Sequence, residues 1–365
     1  MIRKIAASTI ALGCASLCQA QSVQLYGLID TGVEYISNVG AGGSRLVRMP
    51  SLSGGQFPSR WGVRGTEDLG GGLRAVFTLE SGFAPDTGAL LQGGRIFGRQ
   101  AFVGLGGELG TVTAGRQWTM TFFSMLDADV IGPGVFGMAA FDAYLPAARI
   151  DNSLSYRGTF SGLSVGATYS LGRDGLAPAN CGGEARNGGC KEWSGMIKYD
   201  TASWGVALAH DHLDGGPTGT FTGELPGTLP SVDNRDKRTI VNGYLKFGVG
   251  TKVGAGWIKR KLTAMPVPLD TDLYFIGLSQ SFGAQFSVDA QLLSLRDSRP
   301  DTSAKMVLVR GNYALSKRTS LYAMAGRVQN EARAAYSISA GGLQPSTPLA
   351  GRDQNGLMVG MRHNF

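Results

Sequence analysis

Residues 23–36, VQLYGLIDTGVEYI, alternate with a period of two: Leu25, Ile29, Val33 and Tyr35 fall on one side of an extended chain, Asp30 and Glu34 on the other. One face is apolar and its reverse carries charge. The rhythm returns in RWGVRGTED, where Trp61 and Val63 oppose Arg60, Arg64 and Asp68, and in LRAVFTLES, where Leu73, Ala75, Phe77 and Leu79 oppose Arg74, Thr78 and Glu80. It continues through SLSYRGTF, SWGVALAH, TIVNGYLKFG, FSVDAQLL, MVLVRGNYAL and SLYAMAGRVQ. About sixteen such segments of roughly ten residues are present, the length a tilted strand needs to cross hydrocarbon.

The connections between them set the topology. Very short ones, at 68–72, 106–110, 159–162, 201–203, 247–250, 282–284 and 316–317, alternate with long polar ones at 38–58, 84–94, 173–190, 213–236 and 332–353. Short turns on one rim and long loops on the other define an all-β, up-and-down antiparallel transmembrane β-barrel. Closure removes the edge strands that an open sheet of this size would expose. Composition agrees, with 56 Gly in 365 residues, 17% charged residues and a mean hydropathy near zero. Charge is low and glycine high for a soluble domain. The mature chain has no run of roughly 18 apolar residues, which argues against a helical membrane protein, and 43% hydrophobic content argues against disorder.

One stretch breaks the rhythm. Residues 119–148, TMTFFSMLDADVIGPGVFGMAAFDAYLPAA, have neither a sustained period of two nor a capped amphipathic helix, and a loop this long is uncommon unless functional. The strands flanking it, GTVTAGRQW and RIDNSLSYRGTF, are regular. The expectation is that strands form a wall and this segment folds into what the wall encloses.

The first twenty residues are a separate object. Arg3 and Lys4 form a positive start, residues 5–17 an apolar core, and Cys18-Gln19-Ala20 a small-x-small cleavage site, which together predict a secretory signal over 1–20 and a single barrel domain over 21–365. Removing the signal takes two positive charges from the +7 chain, leaving a mature charge of +5. Two cysteines leave with it. The remaining pair, Cys181 and Cys190, brackets GGEARNGG, and in an exported protein it is most simply a disulfide; a metal site is the alternative, with no nearby His to complete it.

The ending VGMRHNF, the start VQLYGLIDTGVEY and the runs SRWGVRGTEDLGGGLRAVFTLESGF and GRQAFVGLGGELGTVTAGRQ resemble the Gram-negative general porins, the trimeric sixteen-stranded kind. The resemblance spans the mature chain. It implies a water-filled outer-membrane channel reached through the periplasm, a homotrimer, contact with lipopolysaccharide and outer-membrane lipids, and a terminal Phe365 read by the barrel-assembly machinery. By the same resemblance 119–148 is the third loop, which narrows the lumen.

Hairpin geometry locates the narrow point. Folding about Gly71 sets Arg60 opposite Gly82 and near Glu80, and folding about Ala89 brings Glu80 to the neighbourhood of Arg99. Arg149, in phase with Ser153 and Ser155, points inward as well. Family porins carry an arginine cluster on the wall at the matching positions, so the resemblance assigns that role to Arg60, Arg99 and Arg149, with Glu80 pairing to hold them. It also places acids on the loop facing the cluster, here Asp127 and Asp129, although Pro133-Gly134-Val135-Phe136 lacks the glutamate usual in that loop. Arginine then outnumbers acid, and an anion preference follows.

Elsewhere, Arg74, Arg157 and Arg327 are expected as solvated lumen residues. Arg45, Arg48, Lys259, Arg260 and Lys261 lie near loops, as lipid-phosphate contacts or rim charges. Trp61, Trp204, Tyr274, Tyr313 and Tyr322 are expected in the aromatic girdles or at subunit contacts. His210 and His212 share one strand face but are too few for a metal site, and Arg116 has no assignable direction. The function expected is passive diffusion of small anionic or neutral hydrophilic solutes, with no cofactor and no nucleic-acid partner. A substrate-specific channel is the alternative. An outer-membrane barrel enzyme is weaker, since only His210, His212 and His363 could activate a nucleophile.

Overall fold

The computed structural model describes residues 22–50, 54–174, 181, 189–217, 221, 228–266, 268–341 and 345–365; the expected signal peptide lies outside them. Seventeen strands are present among the described residues: β1 (Ser22–Val39), β2 (Ser44–Arg48), β3 (Arg60–Gly70), β4 (Leu73–Gly82), β5 (Gln100–Gly107), β6 (Gly110–Trp118), β7 (Arg149–Phe160), β8 (Leu163–Ser170), β9 (Glu192–Asp200), β10 (Trp204–Asp214), β11 (Arg235–Phe247), β12 (Thr251–Thr263), β13 (Leu269–Phe282), β14 (Phe286–Asp297), β15 (Ala304–Ala314), β16 (Thr319–Asn330) and β17 (Gln354–Asn364). Each of β3 to β17 pairs antiparallel with its sequence neighbour, and β1 pairs with β17 from Leu28↔Asn364 to Ile36↔Gly356. The sheet is therefore closed. Since β2 pairs only with the upper part of β1, while the lower part of β1 pairs with β3, the wall counts sixteen strands and β2 is a flap on it.

Alternation sorts the faces as the sequence predicts. Leu25, Ile29 and Val33 are exposed on the outside while Asp30 and Glu34 are fully buried inside, and the outer row continues through Leu208, Val241, Ile276, Leu292, Val307 and Val359. Such an apolar exterior is the surface a hydrocarbon medium wets. The terminal Phe365 closes the wall, its backbone exchanging two 3.0 Å hydrogen bonds with Gly27.

The hydrophobic core is inside the barrel. Met120, Met125, Ile131, Val135, Phe136, Met138, Phe141 and Leu145 of the 119–148 segment pack against Ile240, Ile258, Leu273, Phe275, Leu293, Met306, Leu308 and Met324 of the wall. On β11 to β16 both faces are consequently apolar at mid-height. A second segment joins from the 331–341 region, where Ile338 is fully buried and the Ala340 N–H donates to the Val135 carbonyl at 2.9 Å. A third, 54–57, is held by Asp30, whose carboxylate accepts the backbone N–H groups of Gly55, Gln56 and Phe57 and the Tyr322 hydroxyl.

These contacts correct three expectations. Tyr322 is buried against Asp30 rather than in a girdle, and a Cβ at Gly55 would collide with its ring. Arg260 is buried between Asp236 and Asp142 and is not a rim charge. Arg327 lies on the outer face of β16 beside Asp353, because Val328 and not Arg327 is in phase with the buried row.

Candidate functional site

Register brings the predicted wall residues into one row. Arg60 lies across from Gly82, Glu80 from Gln100, Ala101 from Arg116 and Trp118 from Arg149, so adjacent strands β3 to β7 present these side chains side by side. Arg99 immediately precedes β5. Glu80 is the shared anchor: its carboxylate accepts Arg99 Nε at 2.7 Å and the Tyr26 hydroxyl at 3.0 Å, and lies 3.5 Å from Arg60 Nε. Charge-assisted bonds of this kind fix orientation as well as charge.

Arg116, which the sequence leaves undirected, points inward. Its Nε donates to the Gly98 carbonyl at 2.7 Å and its Nη1 to Asp151. Arg149 is held differently. Its guanidinium lies 3.8 Å from the centre of the Trp118 ring, and Arg99 lies 5.3 Å from the same ring. The indole stacks on Phe122 at 3.8 Å, a residue of the short helix α1 (Met120–Met125) that opens the long segment. Among the described residues, four guanidinium groups thus stand against two carboxylates, with Arg60 and Arg99 on Glu80, Arg116 on Asp151, and Arg149 in no ion pair. Arg60 is the most accessible of the three predicted arginines, its side chain 24% exposed, whereas Arg99 and Arg149 are largely buried.

The 119–148 segment is fixed along the opposite wall by polar contacts. The Met120 N–H donates to Ser194, Thr119 and Tyr144 hydroxyls donate to Asp211, and Tyr144 also reaches Glu192. Asp142 accepts Arg238 Nε at 2.7 Å and Nη2 at 3.1 Å, and Arg310 donates to the carbonyls of Val130 and Ile131. The loop acids do not meet the arginine row as expected. Asp127 pairs with Lys198 of β9, and Asp129 accepts the Ile131 N–H at 3.2 Å beside Gln291. The ion pairs among the described residues include none from either acid to Arg60, Arg99 or Arg149. The segment's apolar side chains account for this, because they bind its middle to β9 to β15 and carry both acids with them.

Cys181 and Cys190 form a disulfide, with Cα atoms 5.5 Å apart. His210 and His212 flank the Trp193 ring on the outer face.

A closed sixteen-stranded barrel with charged residues on its inner face and a long segment bound within it defines a channel protein of the outer membrane. A Gram-negative porin family model matches residues 6–333, and the chain belongs to that family. It is 30% identical to outer membrane porin protein 32 of Delftia acidovorans over 99% of both chains, and 30% identical to an outer membrane porin protein of Bordetella pertussis over 90% of this chain and 95% of that one. Its fold superposes on the anion-selective porin from Comamonas acidovorans with a TM-score of 0.78 at 25% identity, covering 95% of this chain and 100% of the other.

Proposed function

We propose that this porin passes small hydrophilic solutes by passive diffusion with a preference for anions, and that Arg60, Arg99 and Arg149, joined by Arg116, form the basic wall of its constriction. The observation that carries the reading is the surplus of guanidinium over carboxylate in the β3 to β7 row. Glu80 serves there as the wall acid that aligns Arg60 and Arg99. Asp127 pairs with Lys198 of β9, which it shares with Asp200, and the ion pairs among the described residues include none from it to the arginine row. The 119–148 segment narrows the bore by filling the β9 to β15 side, which leaves passage beside the arginines.

A charge about 10 Å from an ion in a water-like lumen is worth roughly 0.4 kcal/mol, so a surplus of two gives about 0.8 kcal/mol, a several-fold preference and not exclusion. The likeness to a relative named as anion-selective supports the same sign. The wider reading includes a homotrimer, lipopolysaccharide around its exterior, and Phe365 as the residue read during assembly; family membership supports these. Reversal potentials across a planar bilayer in a salt gradient test the central claim. Anion-selective sign is expected, shrinking as salt shortens the screening length; cation selectivity at low salt overturns it.

A further inference from the structure

Away from the arginine row, the inner wall carries a second basic group. Lys246 of β11 and Lys252 of β12 are direct cross-strand partners at the end of the barrel closed by the short 248–250 turn. Both lie on the inner face, in phase with the buried Ile240, Asn242 and Tyr244 on β11 and Gly254, Ile258 and Arg260 on β12. Like charges placed directly opposite destabilise a strand pair. Here they also converge: the Lys246 ammonium is 5.0 Å and the Lys252 ammonium 5.2 Å from the centre of one ring, that of Tyr244. The ring itself is fixed, since its hydroxyl donates to Asp200 at 3.0 Å.

The surrounding charges offset the pair only in part. Asp127 and Asp200 both pair with the single Lys198, so three lysines stand against these two acids, with Asp129 adjoining them, and the ion pairs among the described residues give Lys246 and Lys252 no carboxylate. Aromatic faces hold the two ammonium groups together while leaving their donors available, as cation–π contacts do without neutralising charge. The pair also adjoins the infolded segment. A Cβ at Gly254, two residues from Lys252, would collide with the Ala128 carbonyl, so the lysines lie next to residues 127–129 at the underside of the segment.

We propose that Lys246, Lys252 and Tyr244 form a binding station for small oxyanions bearing two negative charges, placed on the short-turn side of the constriction. One ammonium answers each charge, and the unengaged Nζ donors suit oxyanion oxygens. The station rests on reading the channel as one that admits anions, and it adds a site where doubly charged solutes dwell rather than merely pass.

Sulfate is the probe, because it remains a dianion across the working pH range. Added from the short-turn side in planar-bilayer recordings at constant chloride, it is expected to reduce wild-type chloride current saturably. The Lys246→Gln/Lys252→Gln double variant should weaken that block about tenfold, the loss expected when two charges at close range are removed. The Lys246→Arg/Lys252→Arg variant should keep it, and current through either variant shows that the barrel has assembled. Block that is absent in wild type, or equal in wild type and the Gln variant, overturns the station. The variants separate it from the constriction reading: Arg149→Ala should shift reversal potential while retaining sulfate block, and the Gln variant should lose block while retaining anion-selective sign. A cation-selective wild type that still shows lysine-dependent block would sink the constriction reading and leave the station standing.

Discussion

The Arg149 guanidinium sits 3.8 Å from the centre of the Trp118 ring, and that indole in turn stacks on Phe122 of the infolded segment. Arg149 forms no ion pair among those of the described residues, so its direction depends on a ring rather than a carboxylate. Desolvated cation–π contacts contribute on the order of 2 kcal/mol. Trp118→Leu should free the arginine and reduce anion preference by up to about twofold, the worth of one charge about 10 Å from the ion. Trp118→Phe should retain most of it. In the Arg149→Ala background, Trp118→Leu should change reversal potential no further, and additive losses would show that the indole acts otherwise.

Glu80 holds Arg99 at 2.7 Å and Arg60 at 3.5 Å with its side chain 5% exposed. Replacing it with Gln removes one negative charge from the row, which should raise anion preference about twofold. Breaking a buried pair on one side is costly, roughly 3 kcal/mol. The variant is therefore expected to be more anion-selective and less heat-stable together, read by reversal potential and by the unfolding midpoint in detergent. Unchanged selectivity would mean that ions pass beyond the reach of this row.

The disulfide closes a short loop, with Cys181 and Cys190 nine positions apart. Chain-entropy reasoning assigns such a closure about 3 kcal/mol, felt where the loop opens. None of the sixteen wall pairings runs through either cysteine. Cys181→Ser/Cys190→Ser should accordingly leave conductance and selectivity at wild-type values, and a collapse of conductance would give the bridge a role in holding the bore open.

Period-two alternation is enough to find the strands, their register and the inward direction of Arg60 and Glu80, because a one-residue slip would turn the whole set to lipid. Arg99 lies one residue before β5, out of phase with the inward Gln100, and reaches Glu80 from outside the strand. Alternation also fails where both faces of a strand are apolar. In SLYAMAGR, Leu321, Ala323 and Ala325 face out while Tyr322 and Met324 face in, so hydrophobicity cannot say which set is outside. Tyr322 and Arg327 are misassigned for that reason. The doubled apolar rows in DLYFIGL and MVLVRG are the missed signal: an inner wall of Leu273, Phe275, Met306 and Leu308 needs an apolar cover, and Ile131, Val135 and Phe136 supply it. The direction of Arg116 depends on the irregular register between Gly115 and Gln117, which no pattern in the sequence announces.

Asp142 fastens the segment to the wall through Arg238, with Arg260 3.7 Å away and the Tyr144 N–H at 3.1 Å. Burial alone would push its carboxyl up, but Arg238 and Arg260 outweigh burial and hold it below the usual carboxylate range. A group depressed in the folded state gives stability that is fully present above its unfolded value, about 3.9, and is lost as pH falls through the lower folded value. The fastening should thus be indifferent to pH from neutrality down to about 4 and weaken only below that. Asp142→Asn removes it at every pH, so its open-channel current should be noisier at neutral pH, as wild type becomes only in stronger acid. A wild-type rise in noise at mildly acidic pH that persists in Asp142→Asn would place the responsible proton on another group and detach Asp142 from control of the segment.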